Sequence, residues 1–259
     1  SYSHISEIAL NTIRSFGLPQ PKTLFIKFVS PDQEGRGFSM WRAGSSEATI
    51  IIPSDYIAVS LPLILHEVGH AAEGCSREPS IDPEFAVLVD LAVSEAWAFM
   101  VEAACHDPVW LFNAGATNTA KDLAEIYSLF AAYKVRKYAS MIPYIVALFE
   151  RGPSAQQEYA PRMFKATGFF HNPALALADV DELSRAVGYI RGYALAFLAL
   201  KRMAGLEKIL DLHAAFLSGA AVAANDFANL LGRAELPLRL AGYFGVCPQP
   251  HPTHLFPVL

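Results

Sequence analysis

Residues 61–74, LPLILHEVGHAAEG, set two histidines and a glutamate into a stretch otherwise made almost wholly of apolar and small residues. The period is helical. Ser60 reads as the N-cap, Pro62 falls in the first turn and Gly74 reads as the C-terminal stop. On such a helix, positions four apart lie about 40° from each other on one face. His66 and His70 can therefore aim ring nitrogens at one ion, with Gly69 keeping the helix surface open between them. Glu67 lies about 100° round from His66, beside the ion, where it can accept a proton from an attacking water. The bland reading is an amphipathic helix that happens to carry two histidines. Against it, polar groups on a helix this apolar need partners, and a metal ion supplies them.

The chain around this segment has 259 residues, enough for one large domain or two small ones with a substantial core. With 53% apolar and 17% charged residues, much of each helix must be buried. The net charge of -5, with no basic stripe, argues against a nucleic-acid partner. Cys75, Cys105 and Cys247 form no CxxC pair and no even set, which favours a reducing compartment, with the cytoplasm ahead. No uncharged apolar run reaches the ~18 residues of a membrane span. The longest, YASMIPYIVALF at 138–149, contains Pro143. The N-terminus, SYSHISEIAL, lacks the basic and apolar regions of a signal peptide and has no initiator Met. Oligomeric state is not legible.

Along the chain, residues 3–16 read as a helix closed by Gly17 and Pro19, followed by strands at 23–29, 37–43 and 47–53. The histidine helix comes next, then a loop with Pro79 and Pro83, and a second apolar helix over about 83–105. Helices are expected at 119–150, 154–167, 174–204, 206–218 and 224–232, before an extended proline-rich tail. The fold class expected is α+β, mostly α. Residues 1–115 are expected to form a lobe with a small three-stranded sheet, and residues 116–259 a helical lobe that completes one catalytic unit.

A third ligand has to come from elsewhere. Six residues after His70 stands Ser76, not a histidine, and Glu73 and Glu78 are too close to fold back easily. In VSEAWAFMVEA, 93–103, Glu95 follows His70 by 25 residues, room for a loop and an antiparallel return. Glu102 is two turns further along the same face. Both could be solvated surface carboxylates, but the apolar neighbours of Glu95 call for a positive partner.

At this point the chain resembles the gluzincin metallopeptidases, in which HExxH on one helix is completed by a glutamate on the next. SEAWAFMVEA is similar to the NEGFAxYVE-type segment of the one-zinc aminopeptidases, matching at Glu95, Ala98 and Glu102. The resemblance implies zinc as cofactor, Glu95 as its ligand and Glu102 as a carboxylate orienting a ligand histidine. The spacing from His70 to Glu95 is closer to that of the thimet-oligopeptidase group. GYIRGYALAFLALKRMAGLEKILDL, 188–212, resembles the YxKG helix of the same aminopeptidases. That implies Tyr189, or Tyr193 one turn on, as the donor to the oxyanion. The likeness touches about 60 residues at three places in the right order. Two departures stand out. GxMEN, which binds the substrate amine in those aminopeptidases, has no counterpart, and Phe99 stands where thermolysin-like enzymes have an aspartate. The other histidines, His4, His106, His171, His213, His251 and His254, have no ligand spacing.

These expectations describe a zinc-dependent peptidase. Zinc binds His66, His70 and Glu95, Glu67 is the general base, and the strand at 47–53 forms the cleft edge along which a peptide or protein substrate lies extended. Two rivals keep the site. One is a zinc-dependent hydrolase or tailoring enzyme acting on a small molecule. The other is a zincin-fold binding protein without turnover, against which the intact Glu67 argues.

Overall fold

The β-branched run EATIIIP forms the middle of the sheet, because a strand with neighbours on both sides is stabilised by side chains that pack on a pleated surface. The computed structural model describes residues 2–16, 20–30, 37–41, 46–53, 57–75 and 91–201. Three strands, β1 (Thr23–Val29), β2 (Phe38–Trp41) and β3 (Glu47–Pro53), lie in the order β1-β3-β2. β3 runs parallel to β1, with Thr23 opposite Glu47, and antiparallel to β2, with Ser39 opposite Ile50. Ala48, Ile50 and Ile52 alternate into the core. This corrects one expectation. The strand at 47–53 cannot be the cleft edge, since both its sides are hydrogen-bonded, and among the described strands β2 is an edge instead.

Helix α1 (Tyr2–Ser15) buries Ile5, Ala9 and Ile13 and packs against β1 and α2 (Ile57–Cys75). Because α2 begins three residues before Ser60, that serine lies inside the helix rather than at its cap, and Pro62 is one turn deeper than expected. Gly74 is likewise still helical. A Cβ there would lie 2.0 Å from the Trp41 ring, so the glycine allows β2 to close on α2.

Helix α3 (Leu91–Glu102) is buried on nearly every side, as expected of a helix apolar all round. It continues into a 3-10 turn, Ala103–His106. Next comes α4 (Pro108–Asn113), a short helix absent from the sequence reading, whose first turn is capped by Asp107 accepting from the Val109 amide at 2.8 Å. Helix α5 (Ala120–Arg151) carries Pro143 without ending. The helix expected over 154–167 splits into a 3-10 segment, Gly152–Glu158, and α6 (Tyr159–Thr167). The one expected from 174 begins as two 3-10 turns, Pro173–Ala176 and Ala178–Glu182, before α7 (Leu183–Lys201). Asn172 caps the first of these by accepting from the Ala174 amide at 3.0 Å, with Pro173 at the first position. The helices expected at 206–218 and 224–232, the tail, and the loop with Pro79 and Pro83 lie outside the described residues.

The protein is α+β and mostly α, with a small three-stranded mixed sheet. Its larger core joins the sheet, α1, α2, α3 and α4 to the first turns of α5 and the last turns of α7. A second cluster, around Met141, Tyr144, Ile145, Tyr159 and Met163, holds the far end of α5 to α6. No helix among the described residues is long and apolar enough to cross a membrane.

Candidate metal centre

Helices α2 and α3 run antiparallel, because His66 meets Glu102 while His70, one turn later, meets Ser94. Their close approach is set by Gly69, where a Cβ would lie 2.6 Å from the Ala98 Cα. The glycine therefore does more than open the surface between the histidines, for it brings the partner helix in. Helix α7 reaches α3 in the same way at Gly192, where a Cβ would lie 2.6 Å from the Glu95 Cβ. Thus α3 is clamped by two glycine contacts, one at Ala98 and one at Glu95 itself.

The clamp brings His66, His70 and Glu95 together, with one ligand atom from each within 4.8 Å of the others. His66 Nε2 lies 3.3 Å from Glu95 Oε2, and His70 Nε2 lies 3.8 Å from Glu95 Oε1. A tetrahedral zinc site with bonds of ~2.0–2.1 Å has ligand atoms roughly 3.3–3.4 Å apart, so the spacing fits with little adjustment.

The outer nitrogens fix which face of each ring points inward. His66 Nδ1 lies 3.0 Å from Glu102 Oε2, and a carboxylate can only accept, so Nδ1 carries the proton. Ser94 donates to Glu73 at 3.5 Å and so accepts from His70 Nδ1 at 3.1 Å. Both Nε2 lone pairs then face the Glu95 carboxylate, whose Oε2 has no aligned hydrogen-bond donor. Two imidazole nitrogens and a buried carboxylate converging on one point call for positive charge there, a proton or a metal ion. The donor set of two imidazoles and one carboxylate fits zinc.

Charge at the site tells the same story. Burial lowers the pKa of His66, but the Glu102 hydrogen bond and the adjacent Glu95 more than offset it and lift it to about 10. A proton drawn so strongly into this position occupies the place of a cation. His70 is held well below its usual value by burial and by neighbouring His66. Burial would raise Glu102, yet the Lys134 ammonium and the His66 hydrogen bond bring it down to about 2. Lys134 Nζ stands 2.6 Å from Glu102 Oε1.

Glu67 is buried beside this cluster. Burial pushes its pKa up, His66 opposes that, and the Ser39 hydroxyl on β2 hydrogen-bonds to it. Edge strand β2 therefore borders the site through Ser39. Tyr189 packs edge-on against His66, with ring centroids 6.3 Å apart. Its hydroxyl is pushed far above the usual tyrosine range by burial first and then by Glu95, with Tyr138 and Glu67 adding to it. Tyr193 goes elsewhere. Its ring stacks on Phe99 at 3.6 Å and lines an apolar pocket with Glu102, Ala196, Phe197 and Leu200. Of the residues picked out in the sequence, His66, Glu67, His70, Glu95 and Tyr189 share one neighbourhood, while Glu102 and Tyr193 lie behind it.

With this geometry in hand, the chain can be set beside known proteins. No family model matches it, and neither does any curated protein sequence. Among solved structures it is similar to a protein assigned as an oligoendopeptidase F from Bacillus anthracis str. Ames, with a TM-score of 0.60 and 12% identity. The protein shares the fold of that structure. A second similar structure is BsuCP, with a TM-score of 0.54 and 11% identity. Both likenesses cover 95% of this chain, but only 45% and 59% of the other chains, so this chain spans about half their length.

Four contributors to the site were not read from the sequence: Ser94, Lys134, Gly192 and Ser39. Ser94 had a usable signal, a hydroxyl directly before the candidate ligand on a buried helix. Lys134 and Gly192 had none, since nothing local shows which helix each will meet.

Proposed function

We propose that the chain is a zinc metallopeptidase of the gluzincin type, in which residues 1–115 and 116–259 act as one catalytic unit on a peptide or protein substrate. The observation that carries this reading is the convergence of His66 Nε2, His70 Nε2 and Glu95 beside a buried glutamate that is not among the converging donors. The peptidase-related fold supports it.

His66, His70 and Glu95 would hold the ion. Zinc bound there supplies Lewis acidity, polarising a carbonyl and bringing the pKa of water towards ~7. Glu67 takes the proton of the attacking water and passes it to the leaving amine. Tyr189 donates a hydrogen bond to the carbonyl oxygen as negative charge develops there. Strand β2, tied to Glu67 through Ser39, is an edge among the described strands, and an extended peptide would lie along it.

Protein purified without chelator should contain about one zinc per chain, and His70→Ala should lose it. Digestion of a peptide library by the zinc-loaded protein then separates this reading from its rivals. Zinc without peptide cleavage favours a small-molecule hydrolase or a binding protein, and full zinc content in His70→Ala removes the site altogether.

The two tyrosines can be told apart. Tyr189→Phe should lower kcat roughly 10²–10³-fold with little change in zinc content, the usual cost of one lost oxyanion donor. Tyr193→Phe should stay within a few-fold of the parent, because its ring packs on Phe99 away from Glu67. Equal rates for Tyr189→Phe and the parent would remove the tyrosine from the mechanism.

A further inference from the structure

Lys134 lies midway along α5, outside the two helices that carry the converging donors among the described residues. Its ammonium nevertheless ends 2.6 Å from Glu102 Oε1, the carboxylate whose other oxygen holds His66 Nδ1. It also stands 5.9 Å from the ring centroids of both Phe99 and Tyr193, which are stacked on each other. Phe99 in turn packs on the His66 ring, with centroids 4.9 Å apart. One side chain thus touches both supports of His66, the carboxylate that fixes its tautomer and the aromatic ring that fixes its tilt.

We propose that Lys134 is a positioning residue that sets the zinc affinity of the site by holding Glu102 against His66. The inference deepens the metallopeptidase reading and rests on it. Glu102 is 3% exposed, and a carboxylate buried that deeply next to Glu95 and Glu67 needs a compensating charge that does not compete for the zinc position. Lys134 supplies it from the outside. With Oε1 engaged by the ammonium, Oε2 is left to accept from His66 Nδ1–H, and Nε2 keeps its lone pair for the metal. Without Lys134, Glu102 can turn and leave His66 Nδ1 without the carboxylate that fixes its tautomer. The sites on α2 and α3 are in this way fastened to α5, and Tyr193 acquires a role as one wall of the ammonium's seat.

The test is a zinc dissociation constant, obtained by competition with a chromophoric chelator, for the 259-residue chain and three variants. Lys134→Met keeps the length of the side chain and removes the charge; it should weaken zinc binding 10–100-fold, the usual cost of losing an outer-shell partner. Lys134→Arg keeps the charge and the donor and should restore affinity to within a few-fold of the parent. Lys137→Met, on the same helix with its ammonium over Tyr138, should leave affinity unchanged. The cobalt-substituted proteins supply a second readout, since displacement of His66 should shift the visible absorption of Lys134→Met but not of Lys134→Arg. Parent-like zinc affinity in Lys134→Met overturns the proposal, as does an equal loss in the Met and Arg variants. If the parent chain itself binds no zinc, the metallopeptidase reading fails first and this inference falls with it.

Discussion

Glu67→Gln should lower turnover by a factor of roughly 10²–10⁴ while leaving one zinc per chain, the span normally attributed to a positioned general base. At about 1.4 kcal/mol per tenfold, that is about 3–6 kcal/mol of barrier. The substitution is nearly isosteric, so the buried space beside His66 stays filled. The amide oxygen can still accept from the Ser39 hydroxyl, and the group is not one of the three converging donors. What it cannot do is take the proton of the attacking water. The measurement is kcat on a cleaved peptide, together with metal content of the same preparation. Loss of zinc in Glu67→Gln would make Glu67 a structural group, and unchanged turnover would place the base elsewhere.

The legibility of this site follows from which of its parts are local. The histidine pair was readable because helical period alone puts residues four apart on one face. Glu95 was readable because a carboxylate inside AVSEAWAFM must find positive charge. The supports were not. Lys134 sits 32 positions from Glu102, on a helix whose own sequence gives no hint of that meeting. The expected cap at Ser60 failed, because α2 begins three residues earlier. The expected stop at Gly74 falls within one residue of the last described helical residue, Cys75, and the same glycine makes room for the Trp41 ring. The place of β3 in the sheet was recoverable. Three consecutive isoleucines suit a strand paired on both sides better than an edge. The 3-10 segments that replace parts of the expected helices follow Gly152–Pro153 and Asn172–Pro173, two pairs that helical periodicity does not weigh.

Gly69→Ala should both destabilise the fold and weaken zinc binding, and the two effects have one origin. By helix propensity alone the change would stabilise α2 by about 1 kcal/mol. Space reverses the sign. The new Cβ would lie 2.6 Å from the Ala98 Cα and 3.0 Å from the Trp97 carbonyl oxygen, backbone atoms of α3 that cannot rotate away. Over-packing of this kind costs about 1–3 kcal/mol, so a net loss of stability is expected. Relief requires α3 to retreat from α2. His66 and His70 come from one helix and Glu95 from the other, so any retreat lengthens the 3.3 and 3.8 Å separations that suit a tetrahedral ion. Zinc affinity should fall by more than tenfold. Gly168→Ala is the comparison. It places a side chain at a φ of +78° with nothing within 4 Å, so it should lose stability through the backbone while binding zinc as the parent does. Thermal unfolding with and without chelator reads both quantities. Zinc should raise the midpoint of Gly168→Ala as it raises that of the parent, and raise that of Gly69→Ala much less. An equal zinc-induced rise in both variants would mean that the contact at Gly69 is ordinary core packing, and that the metal centre does not depend on how closely α2 and α3 approach.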